Sequence, residues 1–280
     1  MSDLLRRTIT GVFIVIFTLG GFWLHPISFF ITGFVIIAGS VYEYYKLMRR
    51  WGVNPQMIPG IAICITAYSI ATLVASSEVG YGWFLLLVPM ITGIMIYELY
   101  RRQERPFDSL SHTLFPLLYI ALPVSLMPFA AFGHTGISTL LPQGKIVFSP
   151  GMVIGFLLLL WINDTAAYLA GVTLGRHRLF ERISPKKSWE GFAGGLILSA
   201  ITAWLIPQWL GIAGKLQWIA AAVIVSVAGT YGDLIESMLK RSIGIKDSGS
   251  IMPGHGGFLD RFDSVMISFP LFFIYLSLFG

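Results

Sequence analysis

Long apolar segments, separated by short polar connections, follow one another along the whole chain. The segments run for about 20 residues without alternating in polarity from one residue to the next, which favours membrane-spanning helices over barrel strands. Nine spans are predicted on this basis. They cover Thr8–Leu24, Pro26–Leu47, Met57–Ala75, Gly82–Tyr100, Thr113–Phe132, Gly151–Val172, Gly191–Leu210, Leu216–Leu239 and Val265–Leu278.

The composition agrees with a membrane protein. Of the 280 residues, 55% are hydrophobic and only 12% are charged, too few to cover the surface of a soluble domain. In a bilayer, backbone polar groups must be satisfied within helices or a closed barrel. We therefore predict an all-α fold, a polytopic integral membrane protein with about nine transmembrane helices. The one cysteine, Cys64, lies in an apolar run, so an internal disulfide is excluded.

The positions of the basic residues predict the orientation. Of the 19 Lys and Arg residues, 17 lie before the first span, in connections or at span ends on one side of the predicted membrane, and Lys145 and Lys215 lie on the other side. Since cytoplasmic connections carry the excess of positive charge, we expect a cytoplasmic N-terminus and a C-terminus outside. Arg6 and Arg7 precede the first span without a small-residue cleavage site, so a retained helix is expected. The net charge of +5 is then mainly a topology signal, and no nucleic-acid partner is expected.

The polar clusters that need a chemical explanation lie within residues 160–264. We therefore divide the chain into N-terminal transmembrane helices at 1–150, about five in number and without an assigned role, and a C-terminal transmembrane catalytic region with cytoplasmic loops at 151–280. The first cluster is Asn163-Asp164 in the sixth span. A carboxylate at membrane depth costs about 3 kcal/mol unless it faces protein or water. A functional role for Asp164 is favoured over simple hydrogen bonding to a neighbouring helix.

The second cluster lies in the connection Gly175–Gly191 and reads Ser184-Pro185-Lys186-Lys187-Ser188-Trp189-Glu190-Gly191. Ser188 is placed to cap the next helix, and lysines beside a helix N-terminus can bind phosphate. A positively charged cytoplasmic anchor explains the same lysines and, taken alone, they favour it.

The third cluster joins two helices through a glycine-rich loop. Periodicity places Asp233, Glu236, Ser237 and Lys240 on one face of the eighth span. Asp260 and Asp263 follow at i, i+3 spacing where the ninth helix begins. Carboxylates on two helices can hold a hard divalent cation, and glycines let the backbone approach a ligand. A solvated loop of mixed charge would explain neither the glycines nor Asp233 within a span. Zinc is not expected, because the cysteine is remote and the histidines are scattered.

These residues carry a resemblance to a known family. The runs Ser237-x-x-Lys240-Arg241-x4-Lys246-Asp247 and His255-Gly256-Gly257-x-x-Asp260-Arg261-x-Asp263 resemble the motif of the phosphatidate cytidylyltransferases (CDP-diacylglycerol synthases). Asn163-Asp164 and the run from Ser184 to Gly191 match that family as well. The resemblance covers roughly residues 155–265, and the first 150 residues offer no matching motif.

The resemblance implies a Mg²⁺-dependent nucleotidyltransferase that transfers CMP from CTP to phosphatidic acid, giving CDP-diacylglycerol and pyrophosphate in phospholipid biosynthesis. A second cation is left open. The site residues that the resemblance implies are catalytic residues, substrate-binding residues and metal ligands, and some catalytic residues are also metal ligands. The catalytic residues are Asp233, Asp260, Lys240, Lys246 and Asp247. The substrate-binding residues are Ser184, Lys186, Lys187, Arg241, His255, Gly256, Gly257 and Arg261. The metal ligands are Asp233 and Asp260 first, then Asp263 and Asp164.

The expected partners are CTP, phosphatidic acid and membrane lipid. Lipid access and homodimerisation are the two roles considered for the first five helices. Because the chain is compact and lacks an organelle-targeting segment, we expect a bacterial plasma membrane (inner membrane), with the active site facing the cytoplasm.

Two other functions share part of this pattern. A CTP-dependent polyprenol kinase would use the same nucleotide and membrane but release CDP rather than pyrophosphate. A transporter would use Asp164 and Asp233 as an ion relay, but the chain shows no related halves, and the polar loop motif would be unexplained. CDP-alcohol phosphotransferases need a different carboxylate motif, which is absent here.

Overall fold

The computed structural model describes residues 3–134, 146–210, 214–245, 249 and 256–279. Within these ranges the chain forms ten α-helices and four short strands. The helices are α1 (Asp3–Leu24), α2 (Pro26–Arg50), α3 (Met57–Ala75), α4 (Leu87–Arg101), α5 (Pro106–Pro116), α6 (Leu122–Ala131), α7 (Gly151–Leu174), α8 (Trp189–Leu210), α9 (Lys215–Ser242) and α10 (Leu259–Phe279). The strands are β1 (Phe132–His134), β2 (Ile146–Phe148), β3 (Arg178–Phe180) and β4 (Ser184–Ser188).

Two of the apolar stretches are built from more than one helical segment. A 3₁₀ segment, Tyr81–Leu86, leads into α4, and a π-helical segment, Leu117–Ala121, joins α5 to α6. Prolines flank the π-helical segment at 116 and 123. Proline has no backbone N–H and its ring clashes with the preceding turn, which accounts for the local change in helix type.

The chain is an all-α, multi-pass membrane protein, which confirms the predicted fold class. Its described part contains eight helical stretches that are long and apolar enough to cross a membrane, and each overlaps a predicted span. The first predicted span overlaps α1, whose apolar part, Thr10–Leu24, is shorter than these. The total of nine spans and the sides of the two termini stay predictions.

The chain divides into two compact units. Unit 1 comprises Met1–Gly133, Lys145–Phe148 and Asp247–Phe262, and unit 2 comprises His134–Gly144, Ser149–Lys246 and Asp263–Gly280. The helix α10 begins with residues of unit 1 and continues with residues of unit 2.

Unit 1 contains a buried polar network among its apolar helices. The side-chain amide of Gln56 donates to Glu98 on α4 at 2.6 Å, and the guanidinium of Arg101 donates to the same carboxylate oxygen at 2.9 Å. The backbone N–H of Gln56 donates to the hydroxyl of Thr113 on α5 at 2.9 Å. Since buried polar groups are costly without partners, this network fixes how the α2–α3 connection, α4 and α5 meet.

Unit 2 has an aromatic core. Phe156 on α7 packs edge-on against Phe269 on α10, with ring centroids 4.9 Å apart, and Trp218 on α9 packs against Phe272 at 5.6 Å. All four side chains are almost fully buried. The absence of a side chain at Gly155 makes room for the indole of Trp218, because a Cβ there would lie 2.5 Å from the ring.

The connection between α7 and α8 differs from the predicted loop. Strands β3 and β4 pair antiparallel and form a hairpin, with Arg178 opposite Ser188 and Phe180 opposite Ser184. The pattern of the sequence gives no strand signal here, because the strands are short and charged. The hairpin matters for the site because it carries the predicted phosphate-binding lysines.

Candidate active site

Three carboxylates of unit 2 converge at the polar end of α9. Asp233 and Glu236 lie on α9, and Asp263 lies in the second turn of α10. Each offers one oxygen atom, and the three oxygens lie within 4.8 Å of one another. Glu236 is fully buried and Asp263 is 9% exposed, whereas the side chain of Asp233 is 36% exposed. The cluster therefore has a closed inner side and an open side at Asp233.

A glycine lets the two helices approach closely enough to form this cluster. A Cβ on Gly232 would lie 2.8 Å from the backbone oxygen of Asp263 and 2.8 Å from Cα of Ser264. Both neighbours are backbone atoms, which cannot rotate away. A glycine is therefore required before Asp233 if α9 is to pack against this part of α10.

Two lysines neutralise part of the acidic cluster. The ammonium of Lys187, at the end of β4, lies 2.6 Å from a carboxylate oxygen of Asp233 and donates to the backbone carbonyl of Thr230 at 3.3 Å. Lys240 forms an ion pair with Glu236 one turn earlier on α9. The hydroxyl of Ser237 donates to Asp233 at 3.2 Å. These contacts confirm the predicted common face of α9 and join the hairpin to it.

The carboxylate of Asp164 on α7 faces the same group of charges. It interacts electrostatically with Lys187 and Asp233, and it accepts a hydrogen bond from the amide of Asn163 at 3.3 Å. Asp164 is exposed, whereas Asn163 is only 3% exposed and its amide oxygen has no described hydrogen-bond partner. The structure thus brings together four acidic side chains and two lysines from three helices and the hairpin.

The base of the hairpin is held by Glu190 and Ser188. The Glu190 carboxylate accepts from the backbone N–H groups of Arg176 and His177, at 3.0 and 3.2 Å, and lies 2.6 Å from Nδ1 of His177. The hydroxyl of Ser188 accepts from the backbone N–H of Gly191 at 3.1 Å. Ser188 therefore caps α8, as predicted, and the two residues fix both ends of the segment that carries Lys187.

The glycine turn and Asp260 lie in unit 1. Gly256 has a φ of +78°, and a Cβ there would also lie 2.5 Å from the Asp260 carboxylate. That carboxylate accepts from the backbone N–H of Gly257 at 2.8 Å. The Asp260 carboxylate thus connects the first turn of α10 to the glycine turn that precedes it, and Arg261 beside it is exposed.

The other predicted site residues are distributed as follows. Ser184 is half-buried in β4, Lys186 is exposed in β4, and Arg241 is exposed in the last turn of α9. The predictions for Lys246, Asp247 and His255 fall outside the described residues.

Glu236 lies on the predicted face of α9 and belongs to the group that could hold a metal ion, but it is not among the predicted metal ligands. Its spacing of three residues from Asp233 was the signal that could have found it. Glu190 lies in the run from Ser184 to Gly191, and no role is predicted for it from the sequence. Glu190 follows a basic connection and lies in the first turn of α8, where an acidic side chain is stabilised, and this position indicates a structural role.

The donor set of the acidic cluster fits a hard divalent cation. Carboxylate oxygens are the ligands that Mg²⁺ and Ca²⁺ prefer, and Mg²⁺ is usually bound through one or two carboxylates together with phosphate oxygens and water. Asp233, Glu236 and Asp263 would hold such an ion, with Asp164 nearby. The exposed side of Asp233 leaves room for additional ligands from a substrate.

Comparisons with known proteins agree with this chemistry. The profile of the Cytidylyltransferase family matches residues 5–279. Over 121 residues the chain is 47% identical to the phosphatidate cytidylyltransferase of Staphylococcus saprophyticus and 48% identical to that of Staphylococcus aureus. These alignments cover 42% of this chain and 46% of each relative. A protein named YnbB from Escherichia coli is 37% identical over 151 residues, which are 54% of this chain and 51% of that protein.

The alignments thus span about half the length of these curated relatives. The family profile, in contrast, extends over nearly the whole chain, from the first helix to the last. The chain therefore belongs to the cytidylyltransferase family.

Proposed function

We propose that this protein is a phosphatidate cytidylyltransferase, a membrane enzyme that transfers CMP from CTP to phosphatidic acid. The observation that carries the proposal is the cluster of Asp233, Glu236 and Asp263, with Lys187 in contact with Asp233. Carboxylates for a cation beside lysines for phosphate are what a nucleotidyl transfer between two phosphorylated substrates requires. The names of the staphylococcal relatives support the choice of substrates.

The membrane fold supports a lipid substrate. A phosphate in a lipid headgroup lies at the ends of the spans, where α9 and the hairpin carry their charges. If the positive side faces the cytoplasm, the hairpin faces the compartment that supplies CTP. We infer a cytoplasmic active site from this orientation, and a bacterial inner membrane from the bacterial origin of the staphylococcal relatives.

In the proposed reaction, a phosphate oxygen of phosphatidic acid attacks the α-phosphorus of CTP. A new P–O bond forms, and the bond from that phosphorus to the bridging oxygen of the β-phosphate breaks. Pyrophosphate leaves with the electron pair, and CDP-diacylglycerol is the other product. No protein nucleophile is required, because the lipid phosphate is itself the nucleophile. The chain's contribution is then positioning and charge stabilisation.

The residues have separate tasks in this proposal. Asp233, Glu236 and Asp263 would hold Mg²⁺, which when bound neutralises developing negative charge on the phosphates. Lys187 would contact phosphate oxygens from the hairpin side, where its side chain is 26% exposed. Lys240 and Arg241 would contribute positive charge from the last turns of α9. Two groups of predicted roles stay predictions: metal ligation by Asp260 and Asp164, and substrate contacts by Ser184, Lys186 and Arg261.

The test is a turnover assay on the full chain purified in detergent. CTP, phosphatidic acid and Mg²⁺ are supplied, and CDP-diacylglycerol and pyrophosphate are both quantified. We expect equal amounts of the two products, and their loss on adding a chelator. Asp233→Asn is expected to lower kcat by on the order of 100-fold or more. The control is Glu181→Gln, which also neutralises a carboxylate, but an exposed one in the turn between β3 and β4.

Release of CDP instead of pyrophosphate, with a lipid alcohol as acceptor, would replace this proposal by a CTP-dependent kinase. Product formation that survives Asp233→Asn in folded protein would refute the metal assignment. Absence of all products from folded wild-type protein would refute the proposed function itself.

A further inference from the structure

A buried glutamate in the second half of α2 contacts the start of α10. Glu43 is only 1% exposed, and it lies in a helix that is long and apolar enough to cross a membrane. A carboxylate there is costly unless other groups donate hydrogen bonds to it. The backbone N–H of Leu259, the first residue of α10, donates to Oε2 of Glu43 at 3.0 Å. Both residues belong to unit 1.

The two glycines next to this contact leave the space that the carboxylate of Glu43 occupies. A Cβ on Gly257 would lie 2.5 Å from Cδ of Glu43, and a Cβ on Gly249 would lie 2.5 Å from its Oε1. Real Cβ atoms do not approach other atoms so closely. Gly257 is not among the glycines with positive φ, so close approach rather than backbone conformation explains the absence of a side chain there.

A second residue of α2 contacts the same turn. Gly39 lies one helical turn before Glu43, and a Cβ on it would lie 2.7 Å from Cγ of Phe258. Residues four apart share one face of a helix. One face of α2 therefore contacts three successive residues at the entry to α10, at 257, 258 and 259.

The entry to α10 determines where the following carboxylates point. Asp260 follows Leu259 directly, and its carboxylate accepts from the N–H of Gly257 in the same turn. Asp263 lies about one helical turn after Leu259. Because a helix is stiff over one turn, a shift or fraying at Leu259 would be transmitted to both acidic residues.

We propose that Glu43 is a positioning residue for the acidic residues of α10. Its carboxylate fixes the first turn of the helix through Leu259, and through that turn it fixes the direction of Asp260 and Asp263. The effect on turnover rests on the proposed cytidylyltransferase function, whereas the effect on the helix start does not. The N-terminal part of the chain carries no recognised motif. In this proposal its helix α2 positions acidic residues of the catalytic region.

Hydrogen–deuterium exchange of the full chain in detergent tests the structural half of this proposal. The variants are Glu43→Ala, which removes the acceptor, and Glu43→Gln, which keeps one acceptor oxygen. Glu98→Gln is the matched control, because Glu98 is also a buried membrane glutamate of unit 1 but is bound to Gln56 and Arg101.

In Glu43→Ala, exchange within residues 257–262 is expected to be faster by about tenfold, the effect of losing one hydrogen bond to a charged group. Glu43→Gln is expected to restore part of the protection, and Glu98→Gln to leave it unchanged. Unchanged exchange in Glu43→Ala would overturn the proposal. An equal increase in Glu98→Gln would overturn it as well, because it would show general loosening of the helices.

A Mg²⁺ titration of turnover tests the functional half. Glu43→Ala is expected to raise the half-saturating Mg²⁺ concentration about tenfold, with partial rescue by Glu43→Gln and no change in Glu98→Gln. Gly257→Ala is expected to have a smaller additional effect in the Glu43→Ala background than in wild type, because both changes disturb the same contact.

The two proposals fail in different ways. If wild-type protein gives no product but exchange responds to Glu43→Ala as expected, the proposed function fails while the role of Glu43 at the helix start stands. If wild-type protein is active and exchange is faster but the Mg²⁺ titration is unchanged, the positioning role is overturned.

Discussion

Replacing Gly232 with alanine is expected to separate α9 from α10 without unfolding either helix. The added Cβ would lie 2.8 Å from two backbone atoms of the neighbouring helix, one in Asp263 and one in Ser264. Ordinary van der Waals contact begins at 3.4 Å, so one helix must move by about 0.6 Å. That movement occurs beside Asp233 and Asp263, two of the clustered acidic residues.

The free energy of unfolding is expected to change little. Alanine in a helix interior is more favourable than glycine by about 1 kcal/mol. Overpacking of a tight interface typically costs about 1–3 kcal/mol. The net destabilisation is then about 0–2 kcal/mol, which the protein should tolerate. Turnover is more sensitive, because a misplacement of about 1 Å can lower the rate by about 100-fold. For the movement expected here we predict a loss of kcat of roughly tenfold or more.

The assay compares kcat and thermal unfolding of Gly232→Ala and Gly229→Ala in detergent. Gly229 lies one turn earlier on α9, and a Cβ there would meet the terminal methyl group of Leu160 at 2.8 Å. A terminal methyl group can move by a side-chain rotation, whereas backbone atoms cannot. Gly229→Ala is therefore expected to keep most of the wild-type kcat at similar thermal stability.

Equal kcat in the two folded variants would refute this reasoning. It would show that close approach of the two helices does not determine how Asp233 and Asp263 are placed. A loss of activity in Gly232→Ala that is accompanied by complete loss of the unfolding transition would instead show that the cost of overpacking is larger than predicted.

Two further predictions concern the hairpin. Lys187→Gln is expected to lower kcat/KM for CTP by about 10- to 100-fold, and Lys186→Gln by less. Lys187 contacts Asp233, whereas Lys186 is exposed, and a larger loss in Lys186→Gln would contradict this. Glu190→Gln weakens three hydrogen bonds at the base of the hairpin, so limited proteolysis within residues 176–188 should become faster at unchanged thermal stability. An unchanged cleavage rate would show that Glu190 does not hold this segment.

The membrane-spanning helices could be predicted from the sequence because the bilayer allows few alternatives. Backbone groups in lipid must be satisfied within each helix, so apolar length alone identifies a span. The predicted spans Pro26–Leu47 and Met57–Ala75 begin at the same residues as α2 and α3. The common face of Asp233, Ser237 and Lys240 followed equally directly from helical periodicity.

Contacts between distant segments could not be predicted from one sequence. The pair of Lys187 and Asp233 depends on a hairpin too short and too charged to show a strand pattern. The hydrogen bond from Leu259 to Glu43 joins residues 216 positions apart. Helical and strand periodicities describe neighbours along the chain and contain no information about such pairs. Glu43 lies within the predicted span Pro26–Leu47, but no role was predicted for it, and helical periodicity does not indicate its partner.

The mixture of acids and lysines in unit 2 follows from two opposing requirements. If Asp164, Asp233, Glu236 and Asp263 were ionised without partners, their mutual repulsion and desolvation would disfavour any arrangement near the membrane. The same uncompensated negative charge would repel a nucleoside triphosphate. With Lys187 and Lys240 in place, the formal charge of the group falls from four negative charges to two, which is the charge that one divalent cation neutralises. The lysines thus lower the cost of burying the acidic cluster, and a bound divalent cation would bring the net charge of the group to zero, so that it no longer repels phosphate.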